Sequence, residues 1–187
     1  MHSSSNTTEY VAASHIAMVH SAARQTIPVS IIIMTKNEER AIATAIASVS
    51  RFDQVFVLDS GSTDATSRIA ESAGASVVQF CWNGKYPKKK EWALLNLPLA
   101  NDWVLYLDAD EAVTPDLAAE ISRVMAADDA SIGAYEIELD YSFLGHKLRY
   151  GHRVAKRALV RRSRTTWPIV DDLDVTSMWE VEGHYQP

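Results

Sequence analysis

Two carboxylates one residue apart, Asp108-Ala-Asp110, follow the apolar run Trp103-Val-Leu-Tyr-Leu107. At the end of a strand both can point the same way, and hard oxygen donors of this kind suit Mg²⁺ or Mn²⁺ bridging a diphosphate. Alone the triplet is a weak signal, because a solvated strand end looks the same. Two further polar segments follow apolar runs in the same manner: Thr35-Lys-Asn-Glu-Glu39 after Val29–Met34, and Asp59-Ser-Gly-Ser-Thr-Asp64 after Gln54–Leu58. Asp59 closes an apolar run, where a carboxylate is costly unless hydrogen-bonded. It is therefore a candidate to accept hydrogen bonds from a base or ribose, whereas a helix N-cap explains Thr63 or Asp64 equally well. There is no Gly-x-Gly-x-x-Gly and no Gly-Lys-Ser/Thr, so dinucleotide-binding and P-loop readings lack their phosphate cradles.

The elements that position these residues are legible from the alternation of β-branched runs with helical spacing, the signature of βα units and a largely parallel sheet. Strands are expected at Val29–Met34, Gln54–Leu58, Ser76–Phe80 and Trp103–Leu107. Helices are expected at Glu39–Ser50, at Ala65–Ala73 closed by Gly74, at Lys88–Leu95, and from Thr114-Pro115 to about Ala127. After Gly133 the pattern changes to a half-exposed strand with Tyr135, Ile137 and Leu139 on one side. A turn at Phe143-Leu-Gly-His146 and a short strand at Ala158–Val160 complete a mixed second half. In an open sheet of this class, ligands bind beyond the carboxyl ends of the strands, where all three polar segments fall.

The 187 residues are 47% hydrophobic and 22% charged, enough for one core and too few for two full domains. Seven Gly, six Pro and one Cys exclude collagen-like, low-complexity and disulfide-scaffold classes. No apolar run reaches membrane-spanning length and the start lacks a basic region of a secretory signal, which points to the cytoplasm. Residues 1–26 read as a disordered tail, and 27–187 as one domain that stops without a closing helix, as a truncated domain would. Scattered histidines without His-x-x-x-His spacing argue against zinc.

The formal charge is −6, yet Lys147–Arg164 holds eight Lys or Arg and no acid. Few aromatics interleave with it, which disfavours nucleic acid. A phosphate-bearing or lipid-linked acceptor fits better, with peripheral contact to an anionic membrane at its inner face, where clustered basic residues gain about 1 kcal/mol each.

Val29-Ser-Ile-Ile-Ile-Met-Thr-Lys-Asn-Glu-Glu39, Val57-Leu-Asp-Ser-Gly-Ser-Thr-Asp-Ala-Thr66 and Trp103-Val-Leu-Tyr-Leu-Asp-Ala-Asp-Glu111 resemble, in this order, the successive signatures of family 2 glycosyltransferases. The likeness is greatest to the lipopolysaccharide-core β-glucosyltransferase group and covers about residues 28–187. It implies the GT-A fold, a Rossmann-like three-layer α/β/α sandwich with a mostly parallel central sheet and a mixed C-terminal part. It also implies an inverting transferase of cell-envelope polysaccharide synthesis. Such an enzyme takes a nucleotide-diphosphate sugar, expected to be UDP-linked, and a divalent metal, Mg²⁺ or Mn²⁺, and acts on a glycan or lipid-linked glycan acceptor. By the resemblance Thr35, Asn37 and Glu38 line the nucleotide, Asp59 binds base or ribose, and Lys90 faces the nucleotide. Asp108 contacts ribose or metal, and Asp110 ligates the metal.

Inversion needs a carboxylate base on the acceptor side. Asp171, Asp172, Asp174, Glu180 and Glu182 follow the basic run. Val181-Glu182-Gly-His184 resembles the family's base-bearing neighbourhood, with Val where the family has His, which ranks Glu182 first, Glu180 second and Asp172 third. Two other readings compete. A haloacid-dehalogenase-like phosphatase would share Asp-x-Asp, but places it after its first strand and needs Thr or Val where Ala112 stands. A nucleotide-binding but catalytically incomplete transferase domain would bind UDP without turnover.

Overall fold

The computed structural model describes residues 26–143, 146–147 and 154–167. The tail before them and the acids Asp171, Asp172, Asp174, Glu180 and Glu182 lie outside the described residues.

Among the described residues eight strands and four helices follow one another as β1 (Ile27–Thr35), α1 (Ile42–Ser48), β2 (Phe52–Asp59), α2 (Thr66–Ser72), β3 (Ser76–Gln79), α3 (Lys89–Asn96), β4 (Trp103–Asp108), α4 (Pro115–Ala127), β5 (Ala134–Glu138), β6 (Ser142–Phe143), β7 (His146–Lys147) and β8 (Ala155–Arg161). A 3-10 turn, Arg162–Arg164, follows β8. Every expected strand and helix of the first half is present. Six strands form one sheet in the order β3-β2-β1-β4-β8-β5, and β6 pairs with β7 as a separate hairpin. β1 to β4 are mutually parallel where they pair, while β8 runs antiparallel to both β4 and β5. The mostly parallel sheet with a mixed end expected from the sequence is the one observed.

β1 is the axis of this sheet. A strand paired on both edges and covered on both faces has to be apolar nearly throughout. Ile27, Val29, Ile31 and Ile33 pack in one cluster with Ile42, Ala45 and Ile46 of α1, Ala70 of α2, and Ala118, Ile121 and Met125 of α4. Ile32 points the other way, into a cluster with Ala93 and Leu94 of α3 and with Phe56, Val104 and Tyr106. One chain segment thus glues three layers, because successive strand residues alternate faces. Pro28 lacks an amide to donate, and the register of β1 on β2 shifts between Ile27 and Ser30.

Several boundaries differ from the sequence reading; β8, for one, runs Ala155–Arg161 rather than Ala158–Val160. α1 begins at Ile42 rather than Glu39; ahead of it the Glu38 carbonyl accepts the Ala41 and Ile42 amides in a turn, and the amides of Asn37, Glu38 and Glu39, which a helix start leaves without intrahelical partners, bond to the side chains of Ser62, Thr66 and Asp64. Ala65, not Thr63 or Asp64, stands at the N-cap of α2 and offers no side-chain bond. Asp64 reaches past it to accept the Thr66 amide at 2.9 Å. At α4 the reading holds: Thr114 Oγ1 accepts from the Leu117 amide and Pro115 opens the helix.

The strand order reverses direction at β1, since β2 and β3 lie to one side and β4 to the other. That is a topological switch point, where a crevice opens at the carboxyl ends of the strands.

Candidate functional site at the carboxyl edge

Register brings the chemistry into one row. Thr35 is the partner of Asp59, Asp59 of Gln79, and Met34 of Asp108. The backbone extends the edge by one more step: Ser60 donates to the Thr35 carbonyl, Phe80 to that of Asp59 and Ala109 to that of Met34. Gln79, Asp59 and Thr35 therefore end three adjacent parallel strands at one level, and Asp108 ends the fourth one residue earlier.

Asp59 is fully buried. Its Oδ1 accepts from Ser62 Oγ at 2.6 Å and from the Ser62 amide at 3.1 Å, and its Oδ2 from Ser67 Oγ at 2.6 Å and Gln79 Nε2 at 3.0 Å. Burial pushes this carboxyl up, but the bonds from Ser62, Ser67 and Gln79 outweigh it and hold the group below its ordinary value. Both oxygens are thus taken by protein donors, and Asp59 shapes the loop that a ligand would meet. Ser62, Ser67 and Gln79 escaped the sequence reading, since small polar residues in a turn or at a strand end carry no distinctive pattern.

The loops after β1 and β2 brace each other. Asn37, with φ of 56°, takes the left-handed conformation that Asn tolerates. Its amide donates to Ser62 Oγ at 2.8 Å while its Oδ1 accepts the Thr63 amide at 2.8 Å. Glu38 donates its amide to Thr66 Oγ1, and Glu39 Oε2 accepts from the Ala65 amide. The Glu38 carboxyl is raised by burial and by the charges of Asp110 and Asp64, so it belongs to the acidic side of the edge. Thr35 is 4% exposed, and its Oγ1 is a buried hydroxyl with no hydrogen-bond partner among the described residues. Unsatisfied hydroxyls at this depth are uncommon.

Lys89, the neighbour of the expected Lys90, supplies a half-buried cation. Its ammonium donates to Ser60 Oγ at 2.6 Å. Burial lowers it to about 8, against the pull of Asp59 and Asp108 upward and with the repulsion of Lys36. Lys90 instead lies over the Tyr106 ring at 5.7 Å. The resemblance singled out Lys90 in the Lys88-Lys-Lys90 run, and the helix phase that separates the three lysines is set by packing.

Asp108 ends β4 half-buried, with Lys156 Nζ 2.6 Å from its Oδ2. The same ammonium pairs with Glu111 Oε1, while Glu111 Oε2 accepts the Asp108 amide at 3.2 Å. Asp110 is exposed. Among the described residues no group of three or more His, Cys, Asp or Glu is set to hold a metal ion. Two carboxylates completed by phosphate oxygens are nevertheless the ordinary Mg²⁺ donor set, so Asp108 and Asp110 fit a metal that arrives with a diphosphate.

The basic run is not a uniform surface. Besides Lys156, Arg157 pairs with Glu136 at 3.0 Å, and Arg161 pairs with Asp128 at 2.8 Å and stacks over Trp103. Arg164 donates to the Ala130 carbonyl. These cations tie β8 and the segment after it to the acidic body. Among the described residues no helix is long and apolar enough to cross a membrane.

A doubly wound sheet with acids, an orphan hydroxyl and a half-buried lysine at its switch point is an α/β domain of the class whose members bind ligands at the carboxyl edge. Comparison with known proteins gives the family. The model of "Glycosyl transferase family 2" matches residues 30–173, and the chain belongs to that family. With that membership, the mostly parallel sheet and its antiparallel end are the GT-A arrangement. The chain is 41% identical over 119 residues to an uncharacterized glycosyltransferase of Rickettsia typhi, covering 63% of this chain and 40% of that protein. It is 31% identical over 112 residues to the lipopolysaccharide core biosynthesis glycosyltransferase LpsC of Rhizobium meliloti, covering 57% and 40%. The chain thus spans about 40% of the length of these curated relatives. Among solved structures it resembles glucosyl-3-phosphoglycerate synthase from Mycobacterium tuberculosis, crystallised with Mn²⁺, UDP and glucosyl-3-phosphoglycerate. That likeness has 30% identity over 47% of this chain and 36% of that one, with a TM-score of 0.36.

Replacing Asp59 by Asn puts amide hydrogens against donors and should lower stability by about 1–3 kcal/mol near neutral pH. Because the native carboxyl is held below its ordinary value, its stabilisation is present above about pH 4 and lost as pH falls through the native value. Urea denaturation should show the gap between wild type and Asp59→Asn closing on acidification. A gap that stays constant from neutral pH to about pH 3 contradicts the role given to this carboxylate.

Proposed function

We propose that this domain transfers a sugar from a nucleotide-diphosphate sugar, UDP-linked, to a glycan or lipid-linked glycan acceptor of the cell envelope, with inversion at the anomeric carbon. The observation that carries the reading is the aligned row of strand ends at the switch point, Asp59, Thr35 and Asp108, with the Lys89 ammonium held beside it by Ser60. Family membership and the similarity to LpsC support the substrate class.

Each residue has a distinct task in this mechanism. Asp59 fixes the loop after β2, so that the segment from Ser60 to Thr63 meets the base and ribose in a set geometry. The Thr35 hydroxyl and the braced backbone from Asn37 to Glu38 close the other side of the nucleotide. Lys89, whose charge is desolvated, gains most from an anionic ligand and stands to bind the diphosphate. Asp108 and Asp110 would hold Mg²⁺ or Mn²⁺, which would stabilise negative charge on the departing diphosphate. A carboxylate on the acceptor side takes the acceptor's proton as its oxygen attacks, and Glu182, with Glu180 next, is assigned that role from the sequence. Lys90 is left a peripheral place near the nucleotide. Contact with an anionic membrane, if used by the protein, falls to Arg162 and the basic residues before β8, because Lys156, Arg157 and Arg161 are engaged within the fold.

Thermal unfolding with UDP-, GDP- and dTDP-sugars, each with and without Mn²⁺, tests the donor. Stabilisation should occur with one nucleotide only and grow with metal, by about 2.7 kcal/mol at a hundredfold excess over Kd. Asp110→Asn should remove the metal increment and keep the nucleotide shift; no shift with any nucleotide overturns the reading. Binding without transfer in the same samples would favour the incomplete-transferase alternative. For the base, Glu182→Gln should reduce turnover by about 10²-fold or more with nucleotide affinity unchanged, and near-normal turnover would remove Glu182 from the role.

A further inference from the structure

Lys156 sits where a metal would be expected to act, and its origin in the chain is informative. β8 pairs antiparallel with β4 through Leu105 and Leu159. Upstream of that pairing β8 carries Lys156 to the carboxyl edge, where its ammonium meets Asp108 at 2.6 Å. The Asp108, Glu111 and Lys156 side chains are 26%, 21% and 20% exposed, so this is a half-dry cluster rather than a surface pair. Within it, one Asp108 oxygen is bonded to the ammonium, and both Glu111 oxygens are committed, to Lys156 and to the Asp108 amide. Of the three acids in Asp108–Glu111, Asp110 alone is exposed.

We propose that Lys156 is a built-in counter-cation that keeps Asp108 from holding a divalent ion until a diphosphate arrives at the same edge. This rests on the reading of Asp108 and Asp110 as the metal edge. An ammonium within hydrogen-bond distance of a carboxylate repels a divalent cation on that group, and weak screening in a half-dry cluster preserves the repulsion. Asp110 by itself is one exposed carboxylate, a poor metal site. A diphosphate changes the balance by adding oxygen ligands for the metal and negative charge to accommodate Lys156 beside it. Metal and nucleotide binding become coupled, and by linkage each raises the affinity for the other by the same factor. Lys156 is then a positioning residue, acting on the metal through Asp108. Its merit to the protein is that free divalent ions do not occupy the edge ahead of the donor.

Mn²⁺ titrations read by electron paramagnetic resonance, on the full chain without nucleotide and with UDP, test this. Wild type should bind Mn²⁺ alone weakly and bind it at least tenfold tighter with UDP. Lys156→Met should bind Mn²⁺ alone at least tenfold tighter than wild type and respond to UDP by a smaller factor, while Lys156→Arg, which keeps the charge, should behave as wild type. Melting curves establish that each variant is folded. Lys156→Gln, which retains an amide donor for Asp108 and Glu111 and removes only the charge, serves in place of Lys156→Met if the latter does not fold. Equal affinity of wild type and the neutral variant for Mn²⁺ alone, with tightening by UDP intact in both, overturns the role of Lys156 and leaves the metal edge standing. Failure of every protein to bind Mn²⁺ even with UDP overturns the metal edge, and this inference with it.

Discussion

A carboxylate at the end of an apolar, doubly covered strand cannot remain there without partners, and the architecture of the active edge follows from how that demand is met. Asp59 meets it with neutral donors: two serines, their loop and a glutamine from the next strand. Asp108 meets it with a cation drawn from β8. The first solution fixes a loop, and the second brings the mixed half of the sheet to the carboxyl edge of the parallel half.

These two solutions have different consequences. Because the donors to Asp59 come from within the βα unit and from β3, the loop is held whether or not a ligand is present, and the Thr35 hydroxyl on the adjoining strand is buried without a hydrogen-bond partner among the described residues. The electrostatics at Asp108 remain open to change, since the ammonium that satisfies it can be drawn toward a new anion. Lys89 lies between them with its charge already weakened by burial, sensitive to any anion that enters. A static cradle on one side of the switch point and a charge-balanced cluster on the other suit a ligand with a neutral, hydrogen-bonding end and an anionic end, which a nucleoside diphosphate has.

Much of this was legible in the sequence for a physical reason. β1, β2 and β4 are long apolar runs that end abruptly in Thr35, Asp59 and Asp108, and such runs admit little alternative in a parallel sheet. The Thr114-Pro115 cap and Gly74, at φ of 87°, are equally local signals. What the sequence did not show are contacts between residues far apart in the chain. Nothing local distinguishes Lys156 from the other basic residues of its run, and its value comes from the β4–β8 register. Nothing distinguishes Lys89 from Lys88 and Lys90 except the phase of α3. The bonds that tie the amides of Asn37, Glu38 and Glu39 to Ser62, Asp64 and Thr66 are likewise contacts between distant residues that no local pattern announces.

The central claim is that nucleotide and metal meet at the carboxyl ends of β1, β2 and β4. Paramagnetic broadening of backbone amide resonances by Mn²⁺ in the presence of UDP measures this most directly. The account predicts loss of signal for Lys36 to Glu38, Ser60 to Thr63 and Asp108 to Glu111, with Asn101, Asp102 and Ser163 at the opposite end of the sheet unaffected. Broadening centred on that opposite end, or none at the carboxyl edge, would contradict it.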